Sequence, residues 1–375
     1  MFSLARFVHL VKVAAWGVFL FAFPPLCFAN GMYAAAAVLS VLGLLLDVTE
    51  LGALLPESTP PKMRRGVVAT VAILHVALLA ASVVRLVVPN YGPWKRVPGT
   101  EGWNNPSLVR AERGPLLAVG GVDVFALDEN GNLAPVSGIE GPVHALGAGA
   151  RRAWFVHVEG NAAWGYDGAS ITKVPLRWPA ASGGREGAAL DDALFVVRRG
   201  ALVRVELDGH ESEVIERASI TSVATVGTRV VAAGAHVFVS EDGGRRFVDR
   251  GPHGLKAPDV FAGGDSYYLV QSGIVSSRLL VSEAGRGLEE RKAPARDIRI
   301  LSVDPRDGRR VWLATWGEGV WRSEDGGRTW QDLELEGVEM HSLVVDFSAK
   351  GAGAQAWVAA TNLATPSGIF HHVSR

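Results

Sequence analysis

Residues 240–247 read Ser-Glu-Asp-Gly-Gly-Arg-Arg-Phe, and residues 323–330 read Ser-Glu-Asp-Gly-Gly-Arg-Thr-Trp. The two octapeptides share the pattern Ser-Glu-Asp-Gly-Gly-Arg-x-aromatic, and each follows residues typical of a strand. An Asp side chain accepts backbone N–H bonds within its own turn, and Gly adopts positive φ without steric cost. The pattern therefore predicts two tight turns between β-strands, each with an aromatic residue that anchors the return strand.

This pattern resembles the Asp-box, or BNR repeat, of β-propellers such as sialidases, sortilin-type receptors and photosystem II stability/assembly factor-like proteins. The matching residues are Ser240, Asp242, Gly244, Phe247, Ser323, Asp325, Gly327 and Trp330. In that family the Asp-box is a structural turn and not an active site. The resemblance therefore implies a fold and an assembly or accessory role, and it leaves the ligand open.

Residues 91–375 also repeat at a period of roughly 35–45 residues, which is the length of one propeller blade. Short apolar runs alternate with Gly-rich turns, and weaker versions of the turn pattern recur at Asp128–Gly131, Asp167-Gly168, Asp208-Gly209 and Ser282–Gly285. The first strands of seven units are expected near Ser107, Val143, Gly187, Ile220, Asp259, Ile298 and His341. The sequence therefore predicts an all-β, seven-bladed propeller.

The last unit stops after its third strand, at His371-His372-Val373. Its missing fourth strand should resemble Thr329–Leu333, and Pro93–Val97 has that form. We therefore expect residues 91–100 to complete the last blade and close the ring, because closure protects the sheet edges. The alternative is that residues 91–100 are only a linker.

Residues 1–90 are nearly all apolar and are predicted to form a transmembrane anchor of about three helices, over 5–29, 32–55 and 66–88. A span takes about 20 residues. Lys62, Arg64 and Arg65 lie between the second and third runs, and Arg6 and Lys12 lie near the N-terminus. The positive-inside rule then predicts a multi-pass protein of the bacterial inner membrane, with the propeller on the periplasmic or extracellular side.

Residues 1–29 also have the features of a cleaved signal peptide, with a basic start, an apolar centre and a small residue at Ala29. Two spans would then remain, and the side of the propeller would not change. Lipidation at Cys27 is not expected, because Leu26 is not small. Cys27 is the single cysteine of the sequence, so an internal disulfide is excluded.

Three ionisable residues lie in the apolar runs: Asp47 and Glu50 in the second and His75 in the third. One hypothesis is that His75 pairs with Asp47 or Glu50 at a similar depth, because buried ionisable groups usually face a partner or a cavity. They would then serve an accessory subunit of a transporter or sensor. The alternative is a short second helix whose acidic residues reach the headgroups.

The charge and residue types of the soluble part exclude several functions. Residues 1–90 have a net charge of +3 and residues 91–375 a net charge of −4, which argues against a nucleic-acid partner. No Arg-Ile-Pro motif of sialidases, no cysteine cluster and no phosphate loop occurs, so we expect no metal and no cofactor. The turn at Asp128 lacks the closing Glu of a calcium loop.

What remains is a binding surface. In propellers, the turns between second and third strands and those between blades gather on one face, and here they supply Arg198, Arg199, Arg278, Trp316, Glu318 and Asn362. Trp316 is either a partner anchor or packs over its own blade. We therefore expect a non-enzymatic membrane-anchored propeller that binds a protein or peptide of a membrane complex. The main alternative is a glycan-binding or glycan-hydrolysing surface protein.

Overall fold

The computed structural model describes residues 24–25, 27, 33–46, 60–87, 90–128, 130–159, 161–176, 187–216, 218–273, 276–348, 354–361 and 367–373. The chain divides into two compact units. One contains residues 1–90 and 362–365, and the other contains residues 91–361 and 366–375. The described residues of the first unit are almost all helical, and those of the second unit form a β-propeller.

The helical unit contains helix α1 (Tyr33–Leu46) and helix α2 (Pro61–Val87), which pack against each other. The third span was predicted to begin at residue 66, but α2 begins at Pro61. Proline favours the first helical position because its fixed φ suits a helix and its missing N–H needs no partner there. Lys62, Arg64 and Arg65 therefore lie in the first turns of α2 and not in a connecting loop.

Within the described part of the chain, one segment, Pro61–Val84 of α2, is long and apolar enough to cross a membrane, judged by length and composition. The 14 residues of α1 cover only part of the second predicted span. Nearly all of the first predicted span, 5–29, lies outside the described residues. The expectation of a three-helix transmembrane region is therefore not supported, because the described residues contain two helices and one candidate span.

His75 is buried on α2, and its Nδ1 lies 3.0 Å from the carbonyl oxygen of Val71, to which it donates. This is a bond to the preceding turn of its own helix. Asp47 and Glu50 lie outside the described residues. The hypothesis that His75 pairs with either of them stays a prediction.

The propeller unit contains 28 described strands in four radial positions. The first strands are β2 (Ser107–Arg110), β6 (Val143–Ala148), β10 (Gly187–Ala189), β14 (Ser222–Val226), β18 (Asp259–Gly263), β22 (Ile298–Val303) and β26 (Glu339–Asp346). The second strands are β3 (Leu116–Gly120), β7 (Ala153–His157), β11 (Ala193–Arg198), β15 (Arg229–Ala233), β19 (Ser266–Gln271), β23 (Val311–Thr315) and β27 (Gln355–Thr361).

The third strands are β4 (Asp123–Leu127), β8 (Ala162–Tyr166), β12 (Ala201–Glu206), β16 (His236–Ser240), β20 (Arg278–Ser282), β24 (Val320–Ser323) and β28 (Gly368–Val373). The fourth strands are β5 (Leu133–Pro135), β9 (Ile171–Pro175), β13 (Glu211–Ile215), β17 (Val248–Pro252), β21 (Glu289–Arg291), β25 (Gln331–Asp332) and β1 (Lys95–Arg96).

These strands form seven antiparallel four-stranded sheets, so the propeller has the seven blades that the repeat predicts. Six blades use consecutive strands, and the seventh has the order β1-β28-β27-β26. In the seventh, Lys95 pairs with His371 and Arg96 with Phe370. Residues that directly precede blade 1 therefore supply the outer strand of blade 7, and the ring is closed by hydrogen bonds between the two ends of the propeller.

The core lies between the blades. Second strands are buried on both faces, as in β7, where Trp154 and Phe155 are fully buried on opposite sides. Trp154 packs toward blade 3 and Phe155 toward blade 1. Each blade thus buries one face against each neighbour, and this explains why second strands read as continuous apolar runs and not as an alternating pattern.

The two Ser-Glu-Asp-Gly-Gly turns connect third to fourth strands in blades 4 and 6. In blade 6, Asp325 Oδ1 accepts bonds from the backbone N–H of Arg328 (3.0 Å) and Thr329 (2.9 Å). Ser323 Oγ accepts the N–H of Gly327 at 2.8 Å, and Gly327 has a φ of +83°. The polar groups of the turn are therefore satisfied locally, as the sequence pattern predicts.

Candidate binding site

A cavity of about 970 Å³ opens at one end of the propeller axis, and we call it the chamber. Its polar or aromatic lining residues come from the beginnings of first strands and from turns between second and third strands. They are Ser107, His144, Arg199, Thr221, Asp259, Phe261, Arg299, Trp316, Glu339, His341 and Ser342. Its apolar wall includes Leu146, Ile220, Ile300 and Met340. The chamber thus combines an apolar wall with charges of both signs.

A second cavity, of about 610 Å³, is lined by the ends of first strands and the turns that follow them. Both cavities are bordered by Leu108, Val109 and Leu343, so these three residues lie between the two cavities. At this level Ser342 Oγ accepts the N–H of Leu108 and donates to its carbonyl, both at 3.0 Å. These two hydrogen bonds hold the first strands of blades 7 and 1 together.

β-Bulges shape the wall of the chamber. In β22 the pairing with β23 shifts between Ile298 and Ile300, so Arg299 is the extra residue. In β26 the shift lies between Met340 and Ser342, so His341 is the extra residue. A bulge disrupts the strand alternation and re-aims a side chain. Arg299 and His341 therefore line the chamber from equivalent positions of two neighbouring blades.

The Arg299 side chain is held on both sides. Its guanidinium carbon lies 4.4 Å from the ring centroid of Trp316, and its Nη2 lies 2.8 Å from Asp297 Oδ2. The backbone N–H of Trp316 donates to the carbonyl of Asp297 at 3.0 Å. Arg299 is 29% exposed in its side chain, so the held guanidinium still faces the chamber.

The turn that contains Trp316 is fixed to the neighbouring blade. Trp316 forms a backbone bridge with Glu339, and Gly317 donates to the carbonyl of Val338 at 3.1 Å. Gly337 in turn donates to the carbonyl of Gly317 at 3.0 Å. The chamber wall is therefore continuous from blade 6 to blade 7, and Trp316 belongs to it.

His341 is the second re-aimed residue. Its Nε2 lies 2.6 Å from Thr361 Oγ1. Burial lowers the pKa of His341; Glu339 acts in the opposite direction, and Arg299 lowers it further. A neutral imidazole is therefore favoured, so the lasting positive charge in this part of the chamber comes from Arg299.

Of the residues predicted for the partner-binding face, Arg199 and Trp316 line the chamber. Arg199 has a φ of +51°, in the turn between β11 and β12. Three others do not line it, because each is engaged elsewhere: Arg198 bonds Glu211 (3.4 Å), Arg278 bonds Glu290 (2.9 Å) and Glu318 accepts the N–H of Arg296 (2.9 Å). Asn362 lies outside the described residues.

Sequence reasoning missed Arg299, His341, Glu339, Asp259 and His144. These residues lie at the beginnings of first strands, whereas the face was predicted from the turns between second and third strands and those between blades. A signal was present, because a polar side chain interrupts the apolar runs Ile298–Val303 and Met340–Val345. The bulges explain why Arg299 and His341 face the axis.

Within the described residues, no group of three or more His, Cys, Asp or Glu side chains is arranged to hold a metal ion. Carboxylates and imidazoles do share the chamber, at Asp259, Glu339, His144 and His341. The arrangement can bind charged and apolar groups together, since Arg299 and Arg199 offer donors and the wall offers apolar contact.

No protein-family model and no curated protein matches this chain. Solved structures do match. YCF48 bound to D1 peptide is 17% identical with a TM-score of 0.52, covering 76% of this chain and 98% of that one. YCF48 from Cyanidioschyzon merolae is 14% identical, with a TM-score of 0.52 and coverages of 75% and 98%.

Two other matches are enzymes by name. Streptogramin B lyase is 14% identical with a TM-score of 0.54, covering 74% of this chain and 96% of that one. The Niastella koreensis GH74 enzyme is 17% identical with a TM-score of 0.54, covering 74% of this chain and 53% of that one. At such identities these likenesses establish the fold alone. The second unit of this chain is a seven-bladed β-propeller, a fold found in both peptide-bound proteins and enzymes.

Proposed function

We propose that this chain is a non-enzymatic, membrane-anchored Asp-box propeller that binds a protein or peptide outside the cytoplasm. It would act as an assembly factor, scaffold or accessory subunit of a membrane complex. The observation that carries the proposal is the pair of bulges that places Arg299 and His341 in the chamber wall. Bulges often lie beside functional sites, because they re-aim side chains at the expense of regular pairing.

The chamber suits a peptide segment that carries a carboxylate and an apolar side chain. Arg299 is already oriented by Asp297 and Trp316, so little side-chain entropy is lost when it binds. An arginine so placed forms charge-assisted bonds to a carboxylate. The apolar residues of the wall, such as Ile220 and Met340, would contact the apolar side chain. The fold it shares with peptide-bound YCF48 is consistent with this, as an analogy only.

The membrane part of the proposal rests on helix α2. Its segment Pro61–Val84 has the length and composition of a span, and Lys62 and Arg65 lie at its N-terminal end. Basic residues favour the cytoplasmic side, so the propeller that follows would lie outside the cytoplasm of a bacterial cell. Protease treatment of spheroplasts tests this: the propeller should be degraded in intact spheroplasts, and its survival there would contradict the orientation.

The binding function is tested by affinity capture of the detergent-solubilised full chain, with mass spectrometry of the co-purified proteins. The chamber variant carries Arg299→Ala and Trp316→Ala. The matched control carries Arg278→Ala, which removes an exposed arginine that pairs with Glu290 and does not line the chamber. We expect a stoichiometric membrane partner that is retained by the control and lost by the chamber variant. Equal retention by both variants, or no partner at all, would contradict the proposal.

A second candidate is glycan binding or hydrolysis, which is favoured by the presence of two carboxylates, Asp259 and Glu339, in one chamber. Glycosidases act with a pair of carboxyl groups on either side of the bond that breaks. The test is hydrolysis of a polysaccharide panel by the wild type, Asp259→Asn and Glu339→Gln. Turnover that both substitutions abolish would replace the first proposal, and its absence supports the non-enzymatic one.

A further inference from the structure

Blade 7, the closing blade, carries two consecutive histidines on β28. Side chains alternate along a strand, so His371 and His372 face opposite sides of the blade. His371 stacks on Trp357, with ring centroids 4.7 Å apart and planes within 2°. His372 lies between Trp94 (4.9 Å) and Trp312 (5.8 Å). One imidazole therefore lies in each of the two interfaces that join the closing blade to the ring.

The surroundings of both rings disfavour positive charge. His371 pairs in register with Lys95, and Arg110 approaches the ring of Trp357 while bonded to Asp346 at 2.8 Å. The carboxylate of Asp346 is thus already paired. Among the described residues, no hydrogen-bond partner faces the Nε2 of His371 or the Nδ1 of His372. A proton on the Nε2 of His371 or on the Nδ1 of His372 would therefore have no acceptor among the described residues.

The charged groups nearest to His372 act in the same direction. Arg322, on β24 of blade 6, and His371 both disfavour a second positive charge there. Arg96, on β1, is stacked over Phe370 and is itself positively charged, so it supplies no counter-charge. Burial lowers the pKa of His372 to about 4, with Arg322 and His371 adding to the effect. Burial, and then Lys95, lowers the pKa of His371.

We propose that the closing blade is an acid-sensitive latch: protonation of His371 and His372 releases β1 from β28 and loosens the blade 7 wall of the chamber. The latch itself needs no ligand. Its effect on binding rests on the proposed function, because β26 of the same blade supplies Glu339, His341 and Ser342 to the chamber. Release of β1 would leave β28 as an open edge and free Trp94 from blade 6.

The direction of the pH effect follows from the lowered pKa values. An imidazole in an opened blade titrates near its ordinary pKa of 6.5, whereas His372 in the closed blade titrates at about 4. Closure is therefore fully favoured above about pH 6.5 and is weakened as the pH falls toward 4. The midpoint of this window lies near pH 5, where closure should be weakened about thirtyfold for His372 alone.

The experiment is hydrogen–deuterium exchange of the full chain in detergent at about pH 7.5 and about pH 5, expressed as protection factors corrected for intrinsic exchange. We expect protection in β1 and β28 to fall by about tenfold or more. The internal comparison is the protection factor of the residues around His253, a histidine whose pKa is also lowered by burial. There both ring nitrogens are bonded, to Gly234 O (2.8 Å) and Leu255 N (3.1 Å).

The variant His371→Phe/His372→Phe keeps the aromatic contacts and removes both titrating groups, so its protection should not change with pH. If this double variant does not fold, His372→Phe alone should lose less protection in β1 and β28 at the lower pH than the wild type does. An equal loss of protection in all seven blades, or an unchanged drop in a folded variant, would overturn the latch. Exchange in β26 reports on the chamber: if β1 and β28 open while β26 stays protected, the link to binding is overturned even where the latch holds.

Discussion

The guanidinium carbon of Arg299 lies 4.4 Å from the ring centroid of Trp316, and both residues belong to blade 6. The contact joins the first strand of that blade to the turn between its second and third strands. Through its backbone bridge to Glu339, Trp316 also connects the pair to blade 7. A cation over an indole ring contributes about 0.5–2 kcal/mol, so the pair fixes the shape of one side of the chamber.

Replacing Arg299 by Lys should weaken partner binding by about tenfold or more, because an ammonium group neither stacks flat on Trp316 nor forms two parallel bonds to a carboxylate. The thermal midpoint should change little, because Arg299 is partly exposed. Titration of the captured partner against the full-length variant measures the effect. A matched Arg198→Lys change, outside the chamber lining, should leave the affinity as it was.

Asp297→Asn should also weaken binding, although Asp297 does not line the chamber. The substitution removes the carboxylate that holds Arg299 Nη2 at 2.8 Å, while the backbone bond to Trp316 can persist. We expect about a threefold to tenfold loss of affinity, which corresponds to about 0.7–1.4 kcal/mol, because Asn can keep a weaker hydrogen bond that lacks the charge. Unchanged affinity would show that Trp316 alone orients Arg299.

Asp325→Ala should lower the free energy of unfolding by about 1–3 kcal/mol, because the N–H groups of Arg328 and Thr329 lose their acceptor. The control Asp208→Ala, in a weaker version of the turn, removes a bond to His210 N and should cost less than about 1 kcal/mol. Urea unfolding of the two variants makes the comparison. Equal losses would mean that the complete turn pattern adds nothing to stability.

Ionisation of the Asp325 carboxyl should also change the free energy of unfolding as the pH falls. Burial opposes ionisation of Asp325, but hydrogen bonds from Thr329, Ser323 and Arg328 outweigh it and lower its pKa to about 2. Its contribution is therefore present above about pH 4 and is lost as the pH falls toward 2. The difference in unfolding free energy between wild type and Asp325→Ala should shrink over that interval, and a constant difference would contradict it.

Glu283→Gln should destabilise the contact between blades 5 and 6 by about 2–3 kcal/mol. Glu283 bonds Arg328 of the next blade at 2.8 Å and Arg291 of its own blade at 3.3 Å, and the side chain of Arg291 is 6% exposed. Gln would remove the buried counter-charge of Arg291 and leave it paired only with the exposed carboxylate of Glu289. The control Glu290→Gln breaks the exposed pair with Arg278 and should cost less than about 1 kcal/mol. Chemical denaturation at low and high salt separates the two, because salt screens only the exposed pair strongly.

Trp94→Ala should lower the free energy of unfolding by about 3–5 kcal/mol. Trp94 is buried between blades 6 and 7, and its indole N–H donates to the carbonyl of Leu333 at 2.8 Å. The substitution removes both the packing and the bond that hold the closing strand. Trp103→Ala, at a partly buried tryptophan outside this interface, should cost about 2 kcal/mol or less. A larger effect at Trp103 would argue against a special role of the closing strand in stability.

Much of the propeller was predictable because its signals are local. The Asp side chains of the turns accept N–H groups of the same turn, and the Gly residues adopt its positive φ. The pattern can therefore be recognised without knowledge of tertiary contacts. The expected first strands agree with β2, β6, β10, β18 and β22 at their first residue. They miss β14 and β26 by two residues, since strand ends depend on pairing with neighbours. The helical unit was less predictable, because a long apolar run does not reveal where a helix begins.

The sequence by itself determined the class of fold, the number of blades and the positions of the turns, because turn chemistry and apolar repeats act over a few residues. It also indicated Arg199 and Trp316 as residues of one face. Only the tertiary structure decided that Arg299 and His341 join them, because a bulge depends on how one strand registers against the next. Likewise, only ring closure brought Lys95 beside His371, 276 positions away in the sequence. Such contacts follow from the geometry of a closed ring, which no local pattern encodes.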